Sequence, residues 1–466
     1  MKCHTQLVAW QDPNVVFNSL FAHLPYCFWL DSAKGGPNAR YSYMGVPAAI
    51  IHGVVNGFVG IDHLSDNMLQ QLAVDSDRLS VLDFIDQVLA SFTMDKFELD
   101  CLFQGGFVGY VSYDYAKTFG YPVSSVNDSY KPISFMWVQE FLVFDHDTLQ
   151  LFSCRLDNGQ AYDDRNNWAH KLTTKAFIKA SDNNRSTQVN TDHSVESQCT
   201  YQHYMTKIKK IKQLLAQGET YEVCLTNQFS IKSDCDPVDV YLALRKHNPA
   251  PYAGFMRFST VTLLSSSPEN FFSIDANGVV CSEPIKGTRA IGDTIEATSA
   301  IKADLLQHSK EQAELLMITD LIRNDLAKCC VAGSLTVESR AKVTQYEQLL
   351  QLSSTISAVV LPDITGVGVF SNLFPGGSIT GAPKWRTVQW IDQLEQYSRG
   401  VYTGAIGFFS FGKQTQFNVA IRTMTYQPSS ATYQFGAGGA ITYDSDPQSE
   451  WQEMNLKAAA LRYVFD

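Results

Sequence analysis

The sequence TVTLLSSSPENFFSI, residues 260–274, is short, largely apolar and rich in β-branched and aromatic side chains. Such a run is typical of buried strand structure. The stretch YEVCLTNQFSI, residues 221–231, has the same character, and a long helical pattern follows from about Glu311 to Lys328. Strands and helices thus come in unequal blocks without a regular βαβ rhythm. This pattern favours an α+β fold over a doubly wound parallel sheet.

Composition excludes several classes of protein. The chain has 466 residues, 45% of them hydrophobic, which is enough for a large buried core. A formal net charge of −11 without a lysine or arginine block argues against nucleic acid as a partner. No apolar run approaches the roughly 20 residues of a membrane helix, and the start, MKCHTQLVAWQDPNVVF, lacks the order of a secretory signal. We therefore expect a cytoplasmic protein with no membrane segment.

One polar stretch suggests a boundary within the chain. Residues 182–199, DNNRSTQVNTDHSVESQC, are nearly free of large apolar side chains and are predicted to be a linker. The linker would separate an N-terminal region, residues 1–181, from a larger domain, residues 200–466. Within the first region, FLVFDHDTLQLFSC, residues 141–154, has two apolar stretches around a polar turn and predicts a β-hairpin.

Two pairs of glutamates are candidates for a metal site. Glu311 and Glu314 lie three residues apart on one predicted helix, and Glu450 and Glu453 lie three apart on another, with Lys457 four beyond. Each pair shares a helix face. If the two faces met, their carboxylates would offer the hard oxygen ligands that Mg²⁺ prefers. The alternative is a solvated face, because Glu453 and Lys457 also form a common surface ion pair.

A lysine and a glutamate are candidates for reactive groups. Lys286, in PIKGT, stands where an extended segment stops, and an amine nucleophile there would have to lose its proton through burial or a nearby cation. Glu269, in SPENFF, lies in an apolar neighbourhood where burial would raise its pKa enough for it to donate a proton. The alternatives are an ordinary surface lysine and a carboxylate at a strand end.

Seven blocks in order make the chain similar to a known family. They are SPENFF (267–272), PIKGTRA (284–290), MITDLIRNDLAKCC (317–330), FPGGSITGAPK (374–384), RGVYTGAIGFF (399–409), NVAIRTM (418–424) and GAGGAITYDSDPQSEWQEMNLKA (436–458). Together they resemble the chorismate-utilising enzymes. FWLDSAKGGPNARYSYMG (28–45) and GGFVGYVSYD (105–114) resemble the N-terminal region of the members that aminate chorismate. The resemblance implies two large antiparallel sheets packed face to face, with helices outside.

The resemblance also implies a reaction. Lysine at the third position of PIKGT is similar to the branch that aminates chorismate at C4, whereas the anthranilate-forming branch has alanine there. The amine of Lys286 would attack C2 of the ring while the C4 hydroxyl leaves, with Glu269 as general acid and base. Ammonia from a separate glutamine amidotransferase subunit would then add at C4 and expel the lysine. The product would be 4-amino-4-deoxychorismate, for the 4-aminobenzoate and folate branch.

Further residues match family positions. Glu314 and Glu453 match the carboxylates that bind Mg²⁺, with Glu311 and Glu450 supporting them through water. Other matches lie around the substrate: the groups that hold its two carboxylates are Arg422, Lys457, Tyr402 and amides near Gly438, and Thr380 is expected close to the ring. A tryptophan pocket in the N-terminal region would be lined by Ser32, Asn38, Ala39, Arg40, Tyr41, Pro251, Tyr252 and Ala253. The alternative is that the tryptophan-pocket residues only pack the sheets together.

Two departures from the family pattern, and the identity of one further residue, bear on these expectations. Leu315 follows Glu314 where the family usually has a histidine, which removes neither a nucleophile nor a metal ligand. Gln351 stands where a histidine often faces the substrate, so acid–base chemistry is not expected from that position. Glu222 stands where isochorismate-forming relatives carry a lysine base, which makes hydration of chorismate a less favoured reaction. Two alternatives remain open: anthranilate formation by amination at C2, and a non-catalytic subunit that only binds chorismate.

Overall fold

The structure, a computed structural model, describes residues 2–32, 40–63, 78–95, 97–157, 168–173, 194–345 and 349–465. Within these ranges the strands form two large antiparallel sheets, and the helices pack on their outer faces. The predicted α+β fold with two sheets packed face to face is therefore confirmed.

The first sheet joins strands from both ends of the chain. With strands numbered along the described part of the chain, it contains β1 (Lys2–Val8), β2 (Cys27–Asp31), β3 (Tyr41–Val46), β8 (Glu140–Asp145), β9 (Gln150–Asp157), β10 (Val195–Ser197), β11 (Val223–Lys232), β12 (Tyr252–Arg257), β13 (Thr262–Ser267), β21 (Thr423–Gln427) and β22 (Thr432–Ile441). Their order is β1-β9-β8-β3-β2-β12-β13-β21-β22-β11-β10. The predicted hairpin at 141–154 is confirmed, because β8 pairs with β9.

The second sheet is built in the same way. It contains β4 (Ala49–Gly53), β5 (Gly60–His63), β6 (Gly106–Val111), β7 (Ile133–Val138), β14 (Asn270–Ile274), β15 (Val279–Glu283), β16 (Ile285–Ala290), β17 (Thr336–Gln345), β18 (Leu349–Val359), β19 (Ala405–Ser410) and β20 (Thr415–Val419). Their order is β16-β18-β15-β14-β20-β19-β6-β7-β4-β5, and β17 pairs with β18 as well.

The helices cover the two outer faces of the sheets. In chain order over the described ranges they are α1 (Pro13–Val16), α2 (Val81–Ser91), α3 (Trp168–Thr173), α4 (Tyr201–Ala216), α5 (Pro237–His247), α6 (Ile295–Gln307), α7 (Ser309–Leu326), α8 (Gly366–Leu373), α9 (Lys384–Glu395) and α10 (Pro447–Arg462). Short π or 3₁₀ segments cover Phe17–Phe21, Tyr113–Phe119, Gly377–Ile379 and Tyr463–Phe465. None of the described helices combines the length and the apolar character needed to cross a membrane.

Both sheets contain strands from before and after the predicted linker. In the first sheet β2 pairs with β12, and in the second β6 pairs with β19. Residues 182–193 of that linker lie outside the described residues, and part of the rest forms β10, which pairs with β11. The division into residues 1–181 and 200–466 therefore stays a prediction. Each of the two sheets contains strands from both sides of this boundary.

Aromatic side chains fill the space between the sheets. Phe28 and Tyr43 of the first sheet meet Phe408 of the second and Phe103 of a connecting loop, and all four are at most 5% exposed. The ring centroids of Tyr43 and Phe408 are 6.2 Å apart in an edge-to-face arrangement. Burial of such large apolar surfaces is the main stabilising contribution to this interface.

The stretch 260–274 connects the two sheets. Its first half is β13 in the first sheet, its second half is β14 in the second sheet, and Pro268 and Glu269 lie at the crossing. Proline suits a strand end because it cannot donate to a sheet ladder. The backbone of Val419 fixes the crossing: its N–H donates to the Glu269 carbonyl at 3.1 Å, and its carbonyl accepts from Ser267 Oγ at 2.6 Å. Glu269 is therefore held at the seam between the sheets.

Candidate active site

One cavity of about 780 Å³ collects most of the predicted site residues. Its walls come from β16, β22, the helices α7 and α10, and the turn at 377–379. The predicted catalytic, substrate-binding and metal-binding residues that line it are Lys286, Glu269, Arg422, Lys457, Tyr402, Gly438, Glu311, Glu314, Glu450 and Glu453. Residues up to 188 positions apart, as Glu269 and Lys457 are, thus face one space, which we call the substrate cavity.

Thr380, which was also predicted to lie close to the substrate, does not line the substrate cavity. Its side chain is fully buried, and its hydroxyl donates to the carbonyls of Gly376 and Gly377 at 2.8 and 3.3 Å. The neighbouring Ser378 and Ile379 line the substrate cavity instead. The hydroxyl of Thr380 therefore holds its own turn together rather than facing the cavity.

Lys286 carries a largely buried ammonium group between two carboxylates, its side chain 11% exposed. Its Nζ lies 3.2 Å from Oε1 of Glu222 and 3.8 Å from Oε2 of Glu314. Burial lowers the pKa of Lys286, but the two carboxylates outweigh burial and raise that pKa above its usual value. Arg289, a cation three residues along the chain, does not lower this pKa, because its guanidinium pairs with Glu311 at 2.8 Å. Lys286 is thus protonated in the free protein and must lose a proton before it can act as a nucleophile.

Glu269 has the properties of a general acid. The residue is 6% exposed, and burial raises its pKa from 4.5 to about 7, although a hydrogen bond from Ser378 and the charge of Lys286 act in the opposite direction. A carboxyl group with this pKa is partly protonated at neutral pH and can both give and take a proton. The sequence prediction of a raised pKa agrees with this environment.

The two acidic helices face each other across the substrate cavity. Lys310 joins them: its Nζ lies 2.7 Å from Oε1 of Glu450 on α10 and 3.8 Å from Oε1 of Glu314 on α7. Burial raises the pKa of Glu314 to about 7, with Glu222 and Glu450 adding to the rise and lysines opposing it. The two acidic faces therefore line the same cavity, and Lys310 lies between their carboxylates as a cation.

The donor set suits Mg²⁺ in its chemistry. Oε2 of Glu311 is buried and accepts no hydrogen bond, which leaves a hard oxygen available. A Cβ placed on Gly439 would lie 3.5 Å from Oε2 of Glu450 and 3.8 Å from Oε1 of Glu453, so both carboxylates reach the same strand. Over the ranges that the structure describes, no three acidic, histidine or cysteine side chains already form a metal-binding group. The residues present fit the ion. In this structure lysine and arginine side chains, rather than a metal ion, pair with the carboxylates.

Arg422 is a partly buried cation with no acidic partner among the described residues. Burial lowers the pKa of Arg422, and its Nη1 donates only to the side-chain oxygen of Asn248, at 3.3 Å. The backbone of Arg422 has φ of 48°, a left-handed conformation that is costly for a residue with a side chain. A desolvated guanidinium that faces the substrate cavity is suited to a ligand carboxylate.

Replacing Arg422 tests this assignment. We expect Arg422→Ala to raise KM for a dicarboxylate substrate by about 30- to 150-fold, since it removes a charge-assisted hydrogen bond worth about 2–3 kcal/mol. Steady-state kinetics measures the effect, and Arg386→Ala is the matched control because Arg386 pairs with Glu219 outside the cavity. An unchanged KM would exclude Arg422 from substrate binding.

Two glycines of β22, Gly436 and Gly438, form part of the opposite wall of the substrate cavity. A Cβ on Gly436 would lie 2.2 Å from the ring of Tyr402, and one on Gly438 would lie 2.4 Å from the backbone oxygen of Leu225. No side chain fits at either position, because Tyr402 and the neighbouring strand pack directly against the glycine backbone, and both glycines line the substrate cavity. Lys457 adds a cation at this wall, with Nζ 2.7 Å from Glu453 and donating to the Gly438 carbonyl at 3.0 Å.

Three residues at the site were not assigned a role from the sequence. Lys310 bridges the acidic helices, Ser378 hydrogen-bonds Glu269, and Glu222 pairs with Lys286. Lys310 precedes Glu314 by four residues, the spacing of a helical ion pair, and that signal was available in the sequence. The pairing of Glu222 with Lys286 joins positions 64 apart and has no local signal.

A second cavity, of about 550 Å³, lies between the two sheets. The predicted tryptophan-pocket residues that line it are Ser32, Arg40, Tyr41, Pro251, Tyr252 and Ala253. Asn38 and Ala39 lie outside the described residues. Gln351, predicted to face the substrate, is 3% exposed and lines the substrate cavity.

Comparison with known proteins identifies the family. The sequence profile of the chorismate binding enzyme family matches residues 52–463. The chain therefore belongs to the family of chorismate binding enzymes.

Two relatives that match over most of this chain are named as synthases. The chain is 32% identical over 444 residues to aminodeoxychorismate synthase component 1 of Bacillus subtilis, covering 94% of this chain and 91% of that protein. It is 35% identical over 467 residues to aminodeoxychorismate synthase of Streptomyces pristinaespiralis, covering 97% of this chain and 64% of that protein. The chain spans about half to two thirds of the length of the first curated relatives it matches.

A solved structure supports the fold assignment. The crystal structure of anthranilate synthase component I from Streptococcus pneumoniae matches with a TM-score of 0.73 and 26% identity, covering 92% of this chain and 93% of that chain. This similarity agrees with the two packed antiparallel sheets described above.

Proposed function

We propose that this chain is the chorismate-aminating component of an aminodeoxychorismate synthase. It would convert chorismate and ammonia into 4-amino-4-deoxychorismate, a precursor of 4-aminobenzoate and folate. The observation that carries the proposal is that Lys286 and Glu269 line one cavity with the unpaired cation of Arg422. A buried amine, a general acid and a guanidinium are what a covalent displacement on a dicarboxylate requires. The names of the Bacillus subtilis and Streptomyces relatives support the same reaction.

The two catalytic groups divide the chemistry between them. Lys286 gives a proton to the neighbouring carboxylate of Glu222, and its neutral amine then attacks C2 of the ring while Glu269 donates its proton to the C4 hydroxyl, which leaves as water. The buried carboxylate of Glu222, 3.2 Å from Nζ, holds the amine in place until the substrate arrives. Ammonia then adds at C4 and releases Lys286, and Glu269 takes back a proton. Arg422, Lys457 and Tyr402 would hold the two substrate carboxylates.

Mg²⁺ is the cofactor that we propose for the acidic helices. Glu314 and Glu453 would bind the ion directly, and Glu311 and Glu450 would support it through water. When bound, the ion would neutralise carboxylate charge on the substrate. The hard oxygen donors of α7 and α10, and the buried oxygen of Glu311 that accepts no hydrogen bond, support this assignment.

Metal affinity is expected to depend on pH. Because the pKa of Glu314 is raised to about 7, a proton competes with Mg²⁺ below that pH. We expect Mg²⁺ affinity, measured by titration calorimetry without chorismate, to fall about tenfold per pH unit below pH 7. Glu314→Gln should remove this dependence and weaken binding, whereas the exposed-site control Glu296→Gln should do neither. Equal affinity at pH 5.5 and 8 would contradict the role of Glu314.

The ammonia donor is proposed to be a separate subunit. A glutamine amidotransferase would release ammonia from glutamine in the cytoplasm and pass it to this chain. The name "component 1" of the Bacillus subtilis relative supports the need for a second component.

Tryptophan is the ligand that we propose for the cavity between the sheets. The volume of about 550 Å³ and the lining by Ser32, Arg40 and Tyr41 support a polar aromatic ligand. We expect tryptophan to alter either activity or the melting temperature. No change in either quantity on adding or removing tryptophan would refute this ligand.

The product distinguishes the proposed reaction from its main alternative. The protein is incubated with chorismate, Mg²⁺ and ammonium, and the products are separated and identified. We expect 4-amino-4-deoxychorismate with the enolpyruvyl ether intact. Anthranilate as the main product would contradict the proposal and favour the activity named for the Streptococcus structure.

A further inference from the structure

Lys310 occupies the space between the two acidic helices. Its Nζ donates to Oε1 of Glu450 at 2.7 Å and lies 3.8 Å from Oε1 of Glu314. Glu450 belongs to the first turn of α10 and Glu314 to α7, so a single ammonium group reaches carboxylates from both helices. All three residues line the substrate cavity. The ammonium group therefore lies where an ion shared by the two helices would lie.

Both carboxylate oxygens of Glu314 face an ammonium group. Oε1 faces Lys310, and Oε2 lies 3.8 Å from Nζ of Lys286. Direct binding of Mg²⁺ to Glu314 would bring the ion to about 2 Å from one of these oxygens, next to a second positive charge. The side chain of Glu314 is only 11% exposed, so water screens this repulsion poorly. One of the two lysines must therefore move when the metal binds.

Lys310 is the lysine that is free to move. The side chain of Lys286 is 11% exposed and lies 3.2 Å from the fully buried carboxylate of Glu222, which holds it in the cavity. The side chain of Lys310 is 33% exposed and starts at the second residue of α7. From such a position a flexible four-carbon stem can carry its ammonium group into solvent, where the charge is hydrated. Lys310 can therefore leave the carboxylates without burying an unpaired charge.

Two further cations pair with the acidic helices, but each contacts one helix. Arg289 pairs with Oε1 of Glu311 on α7 at 2.8 Å, and Lys457 pairs with Oε1 of Glu453 on α10 at 2.7 Å. The pair with Arg289 leaves Oε2 of Glu311 buried and without a hydrogen bond. These cations therefore lie beside the carboxylates, whereas Lys310 lies between the two helices.

We propose that Lys310 is an internal competitor of Mg²⁺, which holds the metal position in the metal-free protein and leaves it when the ion binds. This inference rests on the proposed metal site and adds the residue that sets the affinity of that site. A site that is open for only a fraction of the time binds its ligand more weakly by that fraction. An ammonium group in place for about 90–99% of the time would weaken Mg²⁺ binding about 10- to 100-fold.

A purely structural role for Lys310 predicts the opposite effect on metal affinity. If its ion pair with Glu450 only fastened α10 to α7, loss of the pair would loosen the carboxylates and weaken Mg²⁺ binding. If Lys310 competes with the ion, its loss opens the site and strengthens binding. Glu450, which is 4% exposed, would then lack a cation until the metal binds. A variant without the ammonium group should therefore also gain more thermal stability from Mg²⁺ than wild type does.

The experiment measures Mg²⁺ affinity in wild type, Lys310→Met and Lys310→Arg. Titration calorimetry is done without chorismate at pH 8, above the pKa of about 7 of Glu314, so that protons compete little. We expect Lys310→Met to bind Mg²⁺ about 10- to 100-fold more tightly than wild type. Lys310→Arg keeps the positive charge and should stay within about threefold of wild type. Lys310→Gln, a second neutral variant, should behave as Lys310→Met does, and melting curves should show the largest stabilisation by Mg²⁺ in the neutral variants.

A control and the remaining outcomes separate the possible failures. Lys302→Met removes an exposed lysine of α6 and should leave Mg²⁺ affinity unchanged. Unchanged or weaker binding in the neutral Lys310 variants, or equal tightening in Lys310→Met and Lys310→Arg, would overturn the competitor role and leave the metal site standing. Absence of Mg²⁺ binding in all of these proteins would refute the metal site and this inference together. Neither result depends on turnover, so the identity of the reaction product tests the proposed reaction separately.

Discussion

Lys286→Ala should abolish ammonium-dependent amination of chorismate, lowering kcat by at least ~10³-fold, because the variant has no amine to form the covalent adduct. The substitution should slow the chemical step and leave chorismate binding intact. Lys286→Arg keeps the positive charge between Glu222 and Glu314 without a usable nucleophile, and it should be equally inactive while still binding chorismate. Product formation and chorismate binding are measured on the same preparations.

A matched control makes the Lys286 result specific. Lys302 is an exposed lysine on α6, and Lys302→Ala should retain full activity. If Lys286→Ala kept more than about a tenth of the wild-type rate, direct addition of ammonia to chorismate would be the reaction and the covalent route would be wrong.

Glu269→Gln should be nearly inactive and more stable than wild type. Removing the general acid should lower the rate of adduct formation by about 10²- to 10⁴-fold, since the hydroxyl would leave without a proton. The rate is followed by rapid mixing with chorismate in the absence of ammonia. Glu219→Gln, outside the substrate cavity, is the control and should leave the rate unchanged.

The stability effect of Glu269 has a defined pH dependence. Because its pKa is about 7 in the folded chain against an ordinary 4.5, the folded state binds this proton more tightly. That stabilisation is complete below pH 4.5 and is lost as pH rises to about 7 and above. At pH 8 the glutamine variant should therefore gain ~3 kcal/mol of unfolding free energy, seen as a higher melting temperature. A melting difference that did not grow between pH 5 and 8 would show that Glu269 is not desolvated.

Local sequence patterns predicted individual elements but not their arrangement. The hairpin at 141–154 and the helix near Glu311 follow from short-range periodicity, and both are found. The order of the strands does not, because β2 pairs with β12 across more than 200 residues. The two-sheet architecture was available only through the resemblance to chorismate-utilising enzymes.

The residues of the candidate site could be predicted from the sequence, but the protonation state of Lys286 could not. Blocks shared with the family located Lys286, Glu269 and Arg422, and all three line the substrate cavity. The raised pKa of Lys286 was not foreseen, because it depends on Glu222 and Glu314, whose carboxylates approach only in the folded chain. Thr380 was expected at the ring, yet its hydroxyl is used by its own turn. Side-chain orientation of this kind is decided by local hydrogen bonds that spacing does not reveal.

The most direct test of the covalent mechanism is mass spectrometry of the intact protein. Wild type is mixed with chorismate and Mg²⁺ without ammonia or glutamine, quenched, weighed and digested. The covalent mechanism predicts an added mass equal to chorismate less one water, mapped to the peptide that contains Lys286 and absent from Lys286→Arg. An unmodified protein that nevertheless aminates chorismate when ammonium is supplied would contradict it.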